Sequence, residues 1–542
     1  MSWLDNRIAW LFPGYALKRK IAFDRLKRLE TLKPEGRRNF EAISGNRTRY
    51  DFLSTSRSAD SFIKDGMKPL REHVRELEYN NGFISGPIQR ISKNVVGQGI
   101  RFQSRIRADS GFKGFPKIND KEAEYFNSEM ERLFKLWAKK SDKRLLQNFY
   151  EQQALCETAL LRDNGVLVIG RTSQRKDRLV PYCLEILEID RLVTPPGAIT
   201  EPKIRNGILF DDEGVPQTYY ILKRHPGDDH FFSKYSIMDF EEVPAFNPNG
   251  TRKVLHLYNP IRPEQTIGFS VFAPALKDLQ DLDRYREAEL YAALEDACMT
   301  GIVKTPAPNT FQQNYTEASE NPDQYDRIHD FAPNKWHYLR PGEEVDIHGP
   351  KRPNDAFGEF INQILRGPAN ALDIPPEILA QNWQGMNYSN ARTVLLMFYL
   401  SCRIRQRYLI DHLCTPVYEA VARDLIAHGK IKAVGFSTRS EDYLEHVWIP
   451  PGWHFIDVAK EAKGKEIELN NNMDTLTDIA AAQGKDIDDL LEARARELRK
   501  MKDLEEKYDI KFPSKEASAP APDIEEESEE EGNQGKNLRL VK

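Results

Sequence analysis

Long apolar runs are missing from this chain. No stretch reaches the roughly 20 uninterrupted apolar residues that a membrane-spanning helix needs. The apolar segment from Trp3 to Phe12 is short, and Lys18, Arg19 and Lys20 follow rather than precede it. That order excludes a secretory signal and predicts an amphipathic helical arm that docks on a neighbour. Cysteine is scarce too. The five residues Cys156, Cys183, Cys298, Cys402 and Cys414 contain no CxxC pair. An odd, scattered set predicts free buried thiols in a reducing compartment. A surplus of positive charge is also absent: 78 Lys and Arg face 83 Asp and Glu, for a net charge of −5. Tight, sequence-reading contact with DNA needs a basic surplus. Passage of DNA along a mixed surface does not, because like charge weakens sticking.

Catalytic motifs are equally lacking. There is no GxxxxGK[ST] phosphate loop, no HExxH and no GxSxG. Gly97-Gln98-Gly99 lacks the third glycine of a dinucleotide fingerprint and leads into a strand. His225, Asp228, Asp229 and His230 match no metal-ligand spacing and read as a solvated loop. The triplet Asp211-Asp212-Glu213 before Gly214 is turn chemistry. No cofactor and no metal is expected, and a structural role outweighs an enzymatic one.

What is present is enough apolar residue, 40 %, for a folded interior over two to four domains. Residues 58–79 read as helix with a break near Gly66 and Pro69, residues 87–96 as a second helix, and Glu122 to Trp137 as a third. A strand begins at Ile100. Val166 to Gly170, the run from Tyr182 to Ile189, Gln217 to Ile221 and Val254 to Tyr258 read as strands, the last closing the sheet. Helices leading into a sheet predict an α+β fold. Pro274 then opens a long helix at a position suited to helix N1. A small insertion follows, with short strands at Trp336–Leu339 and Glu344–Ile347. Phe357, Phe360, Ile361, Ile364 and Leu365 mark another amphipathic helix, capped by Asn354. Antiparallel pairing of the two helices would hold the insertion out on a stalk.

The most informative stretch comes next. Between Ile374-Pro375-Pro376 and a long helix from Asn390 to Cys414 lies a polar, aromatic loop, Gln381-Asn382-Trp383-Gln384-Gly385-Met386-Asn387-Tyr388. No acid, base or nucleophile constellation surrounds it. Its amides can hydrogen-bond phosphates without fixing a sequence. Ser389 is the expected N-cap of the long helix, and Pro416 is expected to bend or end it. Arg392 suits a phosphate or an intersubunit ion pair. Arg403, Arg405 and Arg407 suit a solvated or interface face. Trp448 to Trp453 reads as a rigid linker, and Lys460 to Lys507 as helix broken near Asn470-Asn471-Asn472 and Gly484. The acidic run from Asp523 to Glu531 marks a disordered tail.

This order of parts resembles a tailed-bacteriophage portal protein of the lambda type. Carrying the likeness are Trp3-Leu4-Asp5 with Pro13, the block from Ala59 to Gly99, and Gln265-Thr266 with Gly268 and Phe272. Pro341-Gly342-Glu343 adds to it, and Asp373-Ile374-Pro375-Pro376-Glu377-Ile378-Leu379 followed by Asn387-Tyr388-Ser389-Asn390-Ala391-Arg392 is its most specific part. Val458 departs from the proline usual there, and Pro368 interrupts a helix that is usually unbroken, so a kink is expected.

The resemblance implies a portal fold with an α/β wing, an antiparallel helical stem, a small α/β clip insertion and a helical crown. It divides the chain into an arm (1–50), a first wing part (51–273), a stem helix (274–300), the clip (301–353), a second stem helix (354–377), a tunnel loop (378–389), the wing's long helix and return (390–456), the crown (457–510) and the acidic tail (511–542). It implies a homo-oligomeric ring, usually a dodecamer, at one capsid vertex of the virion, assembled in the host cytoplasm. Double-stranded DNA would pass through its channel without sequence preference, against Gln381, Asn382, Trp383, Gln384, Asn387 and Tyr388. The terminase large subunit, major capsid or scaffold proteins, and head-completion or tail adaptor proteins would be its partners, with no membrane. A metal-dependent nuclease and a monomeric DNA-binding adaptor are the competing readings.

Overall fold

The computed structural model describes residues 57–64, 66–106, 118–198, 201–228, 239–297, 301–304, 344–347, 357–453 and 458–508. The chain divides into two units, Met1–Ser58 and Ala59–Lys542, and every element below belongs to the second. The expected arm, the strand at Trp336–Leu339, the Asn354 cap and the acidic tail lie outside the described residues.

Helices α1 (Ala59–Ile63) and α2 (Met67–Asn80) part at Gly66, as the sequence reads. Pro69 is tolerated in the first turn of α2, where no N–H is needed. Helix α3 runs Gly82–Val95 and starts five residues before the expected Pro87. Asn81 caps it by accepting from Phe83 N at 2.8 Å. That cap and the burial of Ile84, Ile88, Ile91 and Val95 outweigh the bond Pro87 cannot donate. Strand β1 (Arg101–Ser104) and helix α4 (Asp120–Ala138) follow.

Helix α5 (Phe149–Arg162) has no counterpart in the sequence reading. Phe149, Gln152, Gln153, Cys156, Glu157, Leu160 and Leu161 are all buried, so no single apolar stripe announces it. Gln153 bonds both N and O of Ile100, and Ser141 Oγ donates to Gln152 Oε1 at 2.7 Å. The start is fixed by a capping box in which Asn148 accepts from Tyr150 N and Glu151 N while Glu151 accepts from Asn148 N. Asn148→Ala is expected to lower stability by about 1 kcal/mol in a urea melt.

The strands form separate antiparallel sheets. In one, β2 (Val166–Thr172) lies between β3 (Tyr182–Glu188) and β8 (Val254–Leu257). In another, β4 (Ile204–Arg205), β5 (Ile208–Phe210), β6 (Pro216–Leu222) and β7 (Phe240–Pro244) follow in order. Strand β8 is the last of its sheet in chain order, as read, but further strands follow elsewhere in the chain. The stretch read as a rigid linker, Trp448 to Trp453, begins inside β11 (His446–Ile449), which returns to pair with β1 in the register Phe102↔Trp448. The cause is aromatic packing: Phe102 lies 4.2 Å from Tyr418 and 5.5 Å from Trp448, centroid to centroid.

The long helix α6 spans Leu276–Ala297. Pro274 is not its N1 residue. Ala275 N bonds Phe272 O, so a turn occupies that position. Strands β9 (Gly301–Lys304) and β10 (Glu344–Ile347) pair antiparallel across the insertion. Helix α7 (Phe357–Leu372) returns antiparallel to α6. Its start meets Tyr285, 5.9 Å from Phe357, and its later Gly367 faces Asp278 near the start of α6. Helix α7 continues through the buried Pro368 and stops at Leu372, where Asp373 turns left-handed with φ +55°.

After the short helix α8 (Pro376–Ala380) and the polar loop, helix α9 runs Tyr388–Leu409. Asn387, not Ser389, is its cap and accepts from Asn390 N at 2.8 Å. Pro416 does not end the run. Residues Ile410–Cys414 form a π-helical turn, with Thr415 N bonded to Ile410 O, and α10 (Thr415–Ala427) continues beyond. The wider turn dislocates the bond ladder, so Pro416 falls in a new first turn where its missing N–H costs nothing. A short α11 (Ser440–Tyr443) precedes β11. Helices α12 (Val458–Asn470), α13 (Leu476–Ala482) and α14 (Ile487–Tyr508) close the described chain. They break at left-handed Asn472 and Gly484, where the sequence places the interruptions. No described helix is long and apolar enough to cross a membrane.

Candidate functional site

The polar loop is a designed turn, held at both ends. Gln381 adopts a left-handed conformation, φ +53°, and Asn382 N bonds back to Glu377 O at 3.2 Å, closing α8. Asn382 Oδ1 then accepts from Gln384 N at 3.1 Å, and Gly385, φ +73°, supplies the second reversal. Asn387 restarts the helix. Gln381, Trp383, Gln384, Asn387 and Tyr388 are exposed, and Asn382 is half-buried. The structure therefore brings the six expected loop residues together on one segment, with amide and aromatic groups outward and no Asp, Glu, Lys, Arg or His among residues 381–388. Ser401 Oγ donates to Asp373 at 2.8 Å and ties α9 to the end of α7.

The arginines beyond the loop do not share one face. Arg392 pairs with Glu461 of α12 at 3.5 Å, within its own chain. Arg403 lies over the Trp453 ring at 5.7 Å. Arg407 pairs with Asp411 at 2.7 Å. Arg405 turns inward to Glu157 at 3.5 Å, which corrects the expectation of a solvated or interface triplet. Residues two apart on a helix point to different sides. Glu157 is fully buried on α5, and desolvation pushes its carboxyl up to about 7 against the pull of Arg405.

Sequence reasoning missed the apolar side of the same helix. Leu396, Met397, Leu400 and Ile404 are 54, 62, 61 and 64 % exposed. The i, i+4, i+8 spacing of Leu396, Leu400 and Ile404 was the available signal, but the sequence alone does not say which stripe of a helix is left uncovered. Scattered exposed apolar residues are ordinary; a run over more than two turns of one helix marks a contact surface.

Other polar clusters are compensated internally. Glu188, Asp190 and His225 have ligand atoms within 4.8 Å of one another. Asp190, however, already takes Arg71 at 3.2 Å and Arg75 at 2.6 Å, and Arg75 also holds Asp163 at 2.9 Å. Two guanidinium groups supply the positive charge an ion would bring. Cys156, Cys183, Cys402 and Cys414 are free and buried, and burial raises each thiol above its ordinary pKa, as expected of inert core thiols; Cys298 lies outside the described residues.

Residues 45–406 match the family described as phage portal protein, lambda family. The chain is 25 % identical over 462 residues to the probable portal protein of Halomonas phage phiHAP-1, covering 83 % of this chain and 84 % of that one. It is 20 % identical over 471 residues to portal protein B of Escherichia phage lambda, covering 82 % and 85 %. Among solved structures it is similar to a chain from the neck of an empty gene transfer agent particle computed with C6 symmetry, at 13 % identity and TM-score 0.44, covering 78 % of this chain and 94 % of that one. The family is structural, and the chain is not an enzyme. By the extent of that match, the chain belongs to the lambda family of phage portal proteins.

Proposed function

We propose that copies of this chain close into a ring at one vertex of the virion capsid, with residues 378–389 lining a channel for double-stranded DNA during packaging and ejection. The observation that carries the reading is the pairing of two features on α9: a charge-free polar loop at its start and an uncovered apolar stripe, Leu396, Met397, Leu400 and Ile404, along its length. A heterologous contact that closes makes a ring. Such a contact needs an apolar patch that a lone subunit leaves exposed. A channel wall needs groups that touch phosphates without gripping them, because each fixed cation adds salt-dependent affinity. Exposed Gln381, Gln384 and Asn387 meet that need.

In this reading α6 and α7 form the stem, and the insertion at 301–353 is the clip that docks first the terminase large subunit and then head-completion or tail adaptor proteins. The two sheets belong to the wing, which faces capsid or scaffold proteins, and α12 to α14 form the crown. Assembly takes place in the host cytoplasm, twelve copies being the expected count. Trp383 and Tyr388 stack on neighbouring loops or on the DNA backbone.

Replacing Gln381 to Gln384 with glycine and serine tests the loop. The expected result is an intact ring by mass measurement and negative-stain microscopy, with DNA packaging or retention impaired. Loss of the ring would instead assign the loop to assembly, and unchanged packaging would remove it from the channel.

A further inference from the structure

We propose that Arg90 is the positioning residue that fixes the root of the loop at 381–388, an assignment that rests on reading this segment as the channel loop. Arg90 lies on α3, far from the loop in sequence. Its Nη2 donates to Leu379 O at 2.9 Å. That carbonyl is in the last turn of α8, where helix carbonyls lack an intrahelical partner, and a cation there also opposes the helix dipole.

Two further observations make this bond decisive rather than incidental. The next residue but one, Gln381, is held left-handed, a conformation that costs a residue with a side chain and persists only where its surroundings enforce it. Packing does not enforce it on one side. An open cleft of about 480 Å³ adjoins the bond, edged by Asn80, Phe83, Asp283, Arg286 and Gln381. With space beside the root, this charge-assisted hydrogen bond adds to the backbone closure from Asn382 N to Glu377 O in holding it. The seat of the guanidinium is made by Gly86, where a Cβ would come within 3.0 Å of Arg90 Nη2. The same cleft brings in the stem helix: Arg286 of α6 lies over the Phe83 ring of α3 at 5.3 Å. Arg90 thus sits where the loop root, α3 and the stem helix meet.

The test is hydrogen exchange of the loop amides in the assembled full chain without DNA, for Arg90→Ala, Arg90→Lys and Gly86→Ala. Arg90→Ala is expected to speed exchange across 381–387 on the order of tenfold, the scale of one lost charged hydrogen bond. Arg90→Lys should restore much of the protection, and Gly86→Ala, whose Cβ presses on the guanidinium, should give a smaller rise with the same pattern. Ring mass and melting temperature should hold. Unchanged loop exchange in Arg90→Ala overturns the assignment, as does an equal rise across α3 and α8, which would make Arg90 merely structural. DNA retention by the same variants is read separately. Faster loop exchange with normal retention would leave the clamp standing and sink the channel-loop reading.

Discussion

Leu400→Glu with Ile404→Glu is expected to abolish the ring and leave a folded single subunit. Both side chains are more than half exposed, so the lone subunit loses little by the exchange. Glutamate is a good helix former, and it can pair with Arg403 or Arg407 one turn on. In the assembly the sums are different. Covering the remaining exposed area of Leu396, Met397, Leu400 and Ile404 is worth about 1 kcal/mol per side chain. Losing two of these and burying two carboxylates in their place costs several kcal/mol more, because a charge without a partner is expelled from an apolar contact. A drop of roughly a thousandfold or more in association per contact follows, and a closed ring repeats the contact at every subunit. Mass photometry or light scattering should show single subunits, with helical circular dichroism and melting kept. A ring that survives the double change would show that another face joins the copies. A subunit that unfolds would show that the stripe belongs to its own core.

Much of this architecture was legible in the sequence because its signals are local. The break at Gly66, the turns at Asn470–Asn472 and Gly484, the apolar spacing of α7 and the polar loop all follow from residues within a few positions of one another. What escaped depends on contacts across the chain. Helix α5 buries Gln152, Gln153 and Glu157 among its apolar residues and exposes Leu155, so its apolar period is blurred. Strand β11 exists because Phe102, over 300 residues earlier, offers Trp448 a partner and an edge. The continuation through Pro416 needs a π turn that no local rule announces. The loop residues 381–388 could be named from composition and order. Arg90 could not, because its role rests on a single bond to a backbone carbonyl.

The pair Glu157–Arg405 gives a second large effect, read in pH. Burial raises the Glu157 carboxyl to about 7 in the folded chain, from an ordinary value of 4.5. Between these values the folded form keeps a proton that the unfolded chain has released. The stabilising contribution is therefore whole below about pH 4.5 and fades as pH rises, until it is gone above about pH 7; the total is on the order of 3 kcal/mol. Glu157→Gln removes the ionisation. Its stability should match the parent's near pH 4 and exceed it at pH 8. Arg405→Met acts the other way. It leaves the buried carboxyl without its cation at 3.5 Å and raises the carboxyl further. Breaking a buried pair costs roughly 3–5 kcal/mol when the charge persists, but Glu157 can take up a proton instead. The loss in Arg405→Met should therefore be small at pH 5 and largest at pH 8. Urea melts from pH 4 to 8, made on the single-subunit Leu400→Glu, Ile404→Glu background so that dissociation does not mask unfolding, check both signs. A Glu157→Gln curve that tracks the parent's at every pH would mean that Glu157 ionises freely where it stands. Arg405 would then gain nothing by turning inward.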